Sequence, residues 1–316
     1  MTLSMIEDRA ARDVRPGADA PRPARARGRR RSRFNSAYLF LLPAGLVLGV
    51  FVIYPLIATG WMSLHDWSVG GRSAWIGLDN YAELAADSRF WNAMRVTVTY
   101  TVVVVIVQIA LSLAIAQALR KTSWFTALLR SAYYFPTIVS LAVVGVIWQF
   151  LLDPQIGLVN TWLQAAGIDT PDFLRDPATA LPAIVVVGIW KGLGFTLIII
   201  LAGLQSVPGE LYEAARIDGA GPWRQYWSIT LPLLRPATTF ATVIATVQSL
   251  QLFELSYVMT RGGPLFSTES VVMYLYQRGF IDFRMGYASA IAWVLFVVIL
   301  AISFVQLRMM RYQDVD

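Results

Sequence analysis

Six long apolar stretches dominate this chain, near Ala37 to Gly60, Ala93 to Leu119, Ser131 to Leu152, Leu181 to Leu204, Leu231 to Met259 and Met285 to Leu307. Each exceeds the roughly 20 residues that an α-helix needs to cross the hydrocarbon of a bilayer. The runs are continuously apolar and do not alternate in ten-residue units, so they predict helices and not the strands of a membrane barrel. A helix also satisfies every backbone polar group inside lipid. The predicted fold class is all-α: a polytopic membrane protein with six transmembrane helices over residues 37–308, flanked by tails at 1–36 and 309–316.

Composition supports lipid as the solvent: of 316 residues, 56% are hydrophobic and only 15% are charged. There is no cysteine, and His65 is the single histidine, so a thiolate site, a disulfide framework and a histidine cluster are excluded and no metal site is expected. No G-x-x-x-x-G-K-[ST] phosphate loop occurs, so the chain is expected to bind no nucleotide or other cofactor itself. Residues 1–36 differ from the rest, with seven arginines between Arg22 and Arg33 and a net charge of +6 that equals the charge of the whole chain. Such a segment cannot bury a core. It is expected to be disordered and to lie on anionic lipid at the cytoplasmic surface, with no nucleic-acid partner.

Charge asymmetry sets the expected orientation. With a cytoplasmic amino terminus, the inside segments and Arg235 carry 18 basic residues and the outside loops carry six. This lysine and arginine bias places both termini, and residues 205–230, in the cytoplasm of a cell-membrane protein.

That cytoplasmic segment holds Glu213-Ala214-Ala215-Arg216-Ile217-Asp218-Gly219-Ala220, followed by Trp223, Tyr226, Leu231 and Pro232. The acid and small pair give a helix with a slim face, and Gly219 permits a bend that a side-chain-bearing residue resists. Alone this is an amphipathic surface helix and a turn; between two membrane spans, it resembles the EAA loop of membrane subunits of binding-protein-dependent ABC importers. The resemblance implies a type I importer fold with a core near 90–308. It also implies a coupling loop near 206–230, where Glu213, Ala214, Ala215, Arg216, Asp218, Gly219 and Ala220 form two short helices that plug into an ATPase subunit.

Further motifs extend the likeness from Tyr38 to Arg308. Tyr54-Pro55, Ser63, Trp67 and Gly77-Leu78-Asp79-Asn80-Tyr81 look like the MalF-like or glycerol-phosphate-permease-like half of a sugar transporter pair. The shorter six-helix members are closer than maltose-type subunits with their extra spans and large insertion. Gly262-Gly263-Pro264 opens the third outside loop with a helix-breaking turn, and resembles the segment that sugar permeases place at the outer mouth. The implied partners are a second, MalG-like permease, two ATPase subunits that use ATP and Mg, an extracytoplasmic solute-binding protein and membrane lipid.

Ionisable groups within spans are expensive and mark candidate function. Lys191 in the fourth span and Glu254 in the fifth are the clearest, and helix rise allows them to meet in the outer half of the bundle. On a continuous fifth helix, Gln248, Gln251 and Glu254 share a polar arc about 120° wide, with Phe253 beside it and Tyr257 drifting off it. Amide, carboxylate and aromatic groups suit the hydroxyls and C–H faces of a polyol. Packing aromatics, an interhelical ion pair or a snorkelling lysine are the structural alternatives. At the level of function, the alternatives to an importer permease for a carbohydrate or related polyol are an ion-gradient-driven transporter that uses Lys191 and Glu254 as a coupling pair, and a membrane scaffold without a polar path.

Overall fold

A computed structural model describes residues 34–68, 70, 73–120 and 123–311. The expected disordered tail falls almost entirely outside the described residues, as do 312–316. The chain divides into two units, Met1–Val52 and Ile53–Asp316. Helix α1 (Phe34–Leu48) belongs to the first. Its apolar residues from Phe40 onward are exposed, and it runs into a π-helical turn, Gly49–Ile53.

In the second unit, α2 (Tyr54–Ser63) leads to a minimal antiparallel pair, β1 (His65–Asp66) and β2 (Ala74–Trp75), and then to α3 (Asp79–Ala86). Helix α4 (Ser88–Ala118) starts at an Asp87 cap, whose carboxylate accepts the Arg89 amide at 2.9 Å. This satisfies one of the donors orphaned at a helix start. Next come α5 (Trp124–Ile138), α6 (Leu141–Leu151), α7 (Leu158–Ala165) and α8 (Ala180–Gln205). The polar segment holds α9 (Gly209–Ile217) and α10 (Pro222–Gln225); a π-helical turn, Tyr226–Thr230, then leads through α11 (Leu231–Leu233) into α12 (Arg235–Leu250). The chain finishes with α13 (Glu254–Thr260), α14 (Val271–Tyr276) and α15 (Met285–Arg311).

Helix α8 is the axis of the bundle and packs against α4, α5 and α12, while α15 lies on α2, α12 and α14. The backbones approach closely because α8 is studded with glycine: a Cβ at Gly188 would collide with the Tyr100 hydroxyl on α4. Small residues serve this purpose in membranes, where packing between helices replaces the hydrophobic drive.

Among the described residues, four helical stretches are long and apolar enough to cross a membrane: Phe40–Ser63, Ser88–Ala118, Ala180–Gln205 and Met285–Arg308. The total reaches six if each of two bent pairs is one span. The expected third and fifth helices are therefore corrected. The third begins earlier, at Trp124, and bends by 100° between α5 and α6, where Val139 and Ser140 are extended and Pro136 has removed a backbone donor. The fifth bends by 65° before Arg235, and its helix ends at Leu250 instead of continuing to Met259.

Candidate functional site

The Glu213 segment folds as two short helices separated by a sharp reversal. Helix α9 ends in a Schellman arrangement: the Gly219 amide donates to Arg216 O at 3.1 Å and the Ala220 amide to Ala215 O at 2.8 Å, with Gly219 left-handed at φ 77. Gln225 Nε2 then holds the Ala220 carbonyl at 2.8 Å, and Pro222 starts α10. Glu213, Ala214, Arg216, Asp218 and Gly219 are exposed, Ala215 and Ala220 half-buried. The Arg216–Glu213 pair is 3.9 Å apart in the open, a geometry that contributes little stability. The loop thus presents a slim, mostly unpaired outer surface flanked by exposed Ile217 and Trp223.

The expected substrate residues are redistributed. Lys191 makes no ion pair with Glu254 among the described residues; its Nζ donates to the Thr137 carbonyl at 2.7 Å. That carbonyl sits in the last turn of α5, where the bend has removed its helical partner. A cation there satisfies an orphan acceptor and the negative end of the helix dipole. The continuous arc through Gln248, Gln251 and Glu254 does not form, because Gln251 terminates α12 and Glu254 opens α13. All three are nevertheless exposed.

Beside them stands an aromatic ladder that the linear arc did not foresee. Phe253 stacks on Tyr257 at 5.3 Å, Tyr276 contacts both at 5.5 and 5.7 Å, and Phe280 stacks on Tyr276 at 5.6 Å. The break at Gln251–Leu252 turns Phe253 and Tyr257 toward α14, which converts Tyr257 from an outlier into a member of the group. The Leu252 carbonyl released at this break accepts the Ser270 hydroxyl.

The Gly262-Gly263-Pro264 loop is tied down tightly. Gly262 is buried with φ 78, and Thr268 Oγ1 donates to the Gly263 carbonyl at 2.8 Å. Glu269, whose side chain is 2% exposed, accepts Nε and Nη2 of Arg89, both at 2.8 Å, while that guanidinium lies 4.0 Å from the Phe266 ring centroid. Nearby, Asp87 accepts the Tyr274 and Tyr287 hydroxyls. Burial opposes Asp87 ionisation, but these hydroxyls and the Arg89 and Phe90 amides outweigh it and hold the carboxyl below the usual aspartate range. The Arg284 guanidinium likewise lowers Glu83. Sequence offered no signal for Arg89–Glu269, whose partners are 180 residues apart.

A helical membrane body, a two-helix polar loop and a braced opposite-end loop define a permease component of a transport assembly. Residues 107–314 match the family described as the binding-protein-dependent transport system inner membrane component, and the chain belongs to that family. It is 36% identical to the probable ABC transporter permease protein YurN of Bacillus subtilis, across 87% of this chain and 95% of that one. Identity is 34% to the sulfoquinovosyl glycerol transport system permease protein SmoG of Agrobacterium fabrum, across 88% and 91%. It is also 34% to the trehalose/maltose transport system permease protein MalF of Thermococcus litoralis, across 87% and 94%. A solved bacterial alginate ABC transporter, in complex with an alginate pentasaccharide-bound periplasmic protein, superposes with a TM-score of 0.78 at 26% identity, covering 88% of this chain and 94% of its own. The chain is therefore a membrane transport subunit and not an enzyme.

Proposed function

We propose that this chain is one permease half of an ATP-driven importer that moves a carbohydrate or polyol-type solute, such as a sugar, an oligosaccharide or a glycerol-phosphate compound, from an external binding protein into the cytoplasm. The carrying observation is the exposed α9–α10 reversal, within a family whose relatives include permeases named for sulfoquinovosyl glycerol and trehalose/maltose. Both termini face the cytoplasm of the cell membrane, and a MalG-like permease completes the path. Two ATPase subunits, which bind the ATP and Mg, dock on the two coupling loops. Here Glu213 through Ala220 make the contact.

Lys191, Gln248, Gln251, Phe253, Glu254 and Tyr257 line the solute path, with Tyr276 added to the aromatic face. Stacked rings match the C–H faces of a sugar, and the exposed amides and carboxylate match its hydroxyls. Gly262, Gly263 and Pro264 shape the outer mouth toward the binding protein. Ion-gradient coupling through Lys191 and Glu254 loses its support, since the amine is engaged by a carbonyl.

Uptake of labelled oligosaccharide into proteoliposomes holding the full assembly provides the test. Uptake should vanish with a non-hydrolysing ATPase subunit and persist with an ionophore. The reverse pattern would overturn the proposal.

A further inference from the structure

Granted the docking role proposed for residues 209–230, we infer that Tyr212 and Arg120 form the joint that hands movement of α9 to α4 and α5. Tyr212 is the buried residue of α9, 5% exposed, on a helix whose other large apolar residues, Leu211 and Ile217, are 42% and 87% exposed. A lever attached to the bundle this sparsely transmits force through the attachment it has. The tyrosine ring lies under the Arg120 guanidinium, 3.7 Å from its carbon to the ring centroid. Its hydroxyl pairs with Thr230 Oγ1 at 2.9 Å, and Thr230 is itself 1% exposed at the approach to α11 and α12. One side chain therefore touches both routes from the loop into the bundle.

Arg120 immediately follows Leu119, the C-cap of α4. The Leu119 carbonyl accepts Nη2 of Arg130 on α5 at 2.6 Å, so the same point on α4 is bound to α5. This link acts beside the packing of Leu129 on the buried cluster that α4 and α8 share. Trp124 and Leu128 are 80% and 57% exposed, and Arg130 borders a cavity of about 320 Å³ reaching Tyr134, Leu201 and Gln205. With Leu129 packed beside Leu119 and Arg130 hydrogen-bonded to its carbonyl, displacement of the α4 end pulls α5 with it. The last turn of α5 holds the Thr137 carbonyl that engages Lys191. The joint thus connects the cytoplasmic loop to the candidate solute path. Tyr212 and Arg120 are positioning residues and touch neither nucleotide nor solute.

The informative readout is solute transported per ATP hydrolysed in proteoliposomes, with co-purification of the ATPase subunits as control. Arg120→Gln and Tyr212→Leu should retain the ATPases yet lower the ratio by about fivefold, the scale of a half-buried cation–π contact. Arg120→Lys, which keeps the cation, and Tyr212→Phe, which keeps the ring, should recover most of it. An unchanged ratio in Arg120→Gln with the assembly intact overturns the joint, as does a loss of co-purification in both Arg120→Gln and Arg120→Lys, which would mark a folding contact only. Glu213→Lys separates the premise: if it leaves ATPase binding and stimulation untouched, the docking role itself is wrong. If Glu213→Lys impairs docking while Arg120→Gln leaves the ratio unchanged, the joint alone fails.

Discussion

Lys191 caps the bent end of α5 through the Thr137 carbonyl, and Gly219 reverses the chain after α9. A lysine in an apolar run is conspicuous, and its selection as a functional candidate needed only composition. Its partner was not legible, because the Thr137 carbonyl becomes available only once α5 stops and bends. Replacing Lys191 with Met should remove a cap on α5 of about 1 kcal/mol, seen as a lowered melting temperature of the purified assembly, whereas Lys191→Arg should retain most of it. Equal stability of the Met variant would show that the carbonyl needs no cation. Gly219 was legible as a bend that a side-chain-bearing residue resists, and the backbone there is left-handed, with φ 77. A Cβ there meets nothing within 4 Å, so Gly219→Val acts through backbone strain of roughly 1–2 kcal/mol. ATP-dependent uptake should fall while the external receptor still binds its cargo. Normal uptake by this variant would count against the reversal as a working part.

Among the elements, α4, α8 and α15 match the expected spans to within a few residues, because unbroken hydropathy and helical backbone coincide there. The third and fifth spans do not, since the residues at their breaks, Val139 and Leu252, are as apolar as a helix interior. Hydropathy cannot register a bend whose freed carbonyls are satisfied by distant side chains, Lys191 in one case and Ser270 in the other. The loop after Gly262 illustrates the same limit, since its brace pairs Arg89 with a glutamate far along the chain. Glu269→Ala should cost about 3 kcal/mol by leaving a largely buried cation unpaired, measurable as a fall in thermal stability, and a neutral result would deny the brace. The depressed Asp87 carboxyl gives a pH signature. Its stabilising contribution is present above the ordinary aspartate pKa of about 4 and is lost as pH falls through the lower folded value. Melting temperature should therefore drop on acidification below about pH 4, less steeply in Asp87→Asn; identical slopes would discount the Tyr274–Asp87–Tyr287 contacts.

At the level of the whole molecule, the fold places two kinds of chemistry on different segments. The loop between α8 and α12 is slim, exposed and sharply reversed, and the aromatic ladder with its exposed amides and carboxylate lies where α12, α13 and α14 meet. Class and family were legible because they depend on span composition and on one ordered motif. The ladder was not, because it depends on the break that brings Phe253 and Tyr257 against Tyr276. In the importer proposed above, the exposed loop is gripped by a motor subunit. The absence of cysteine makes this directly measurable, since Ala214→Cys introduces a unique thiol on the exposed face of α9. In membranes containing the complete assembly, that thiol should cross-link to the ATPase subunit from the cytoplasmic side, with a yield that changes on ATP binding. Labelling from the external side, or no cross-link in an assembly that still imports, would contradict the account.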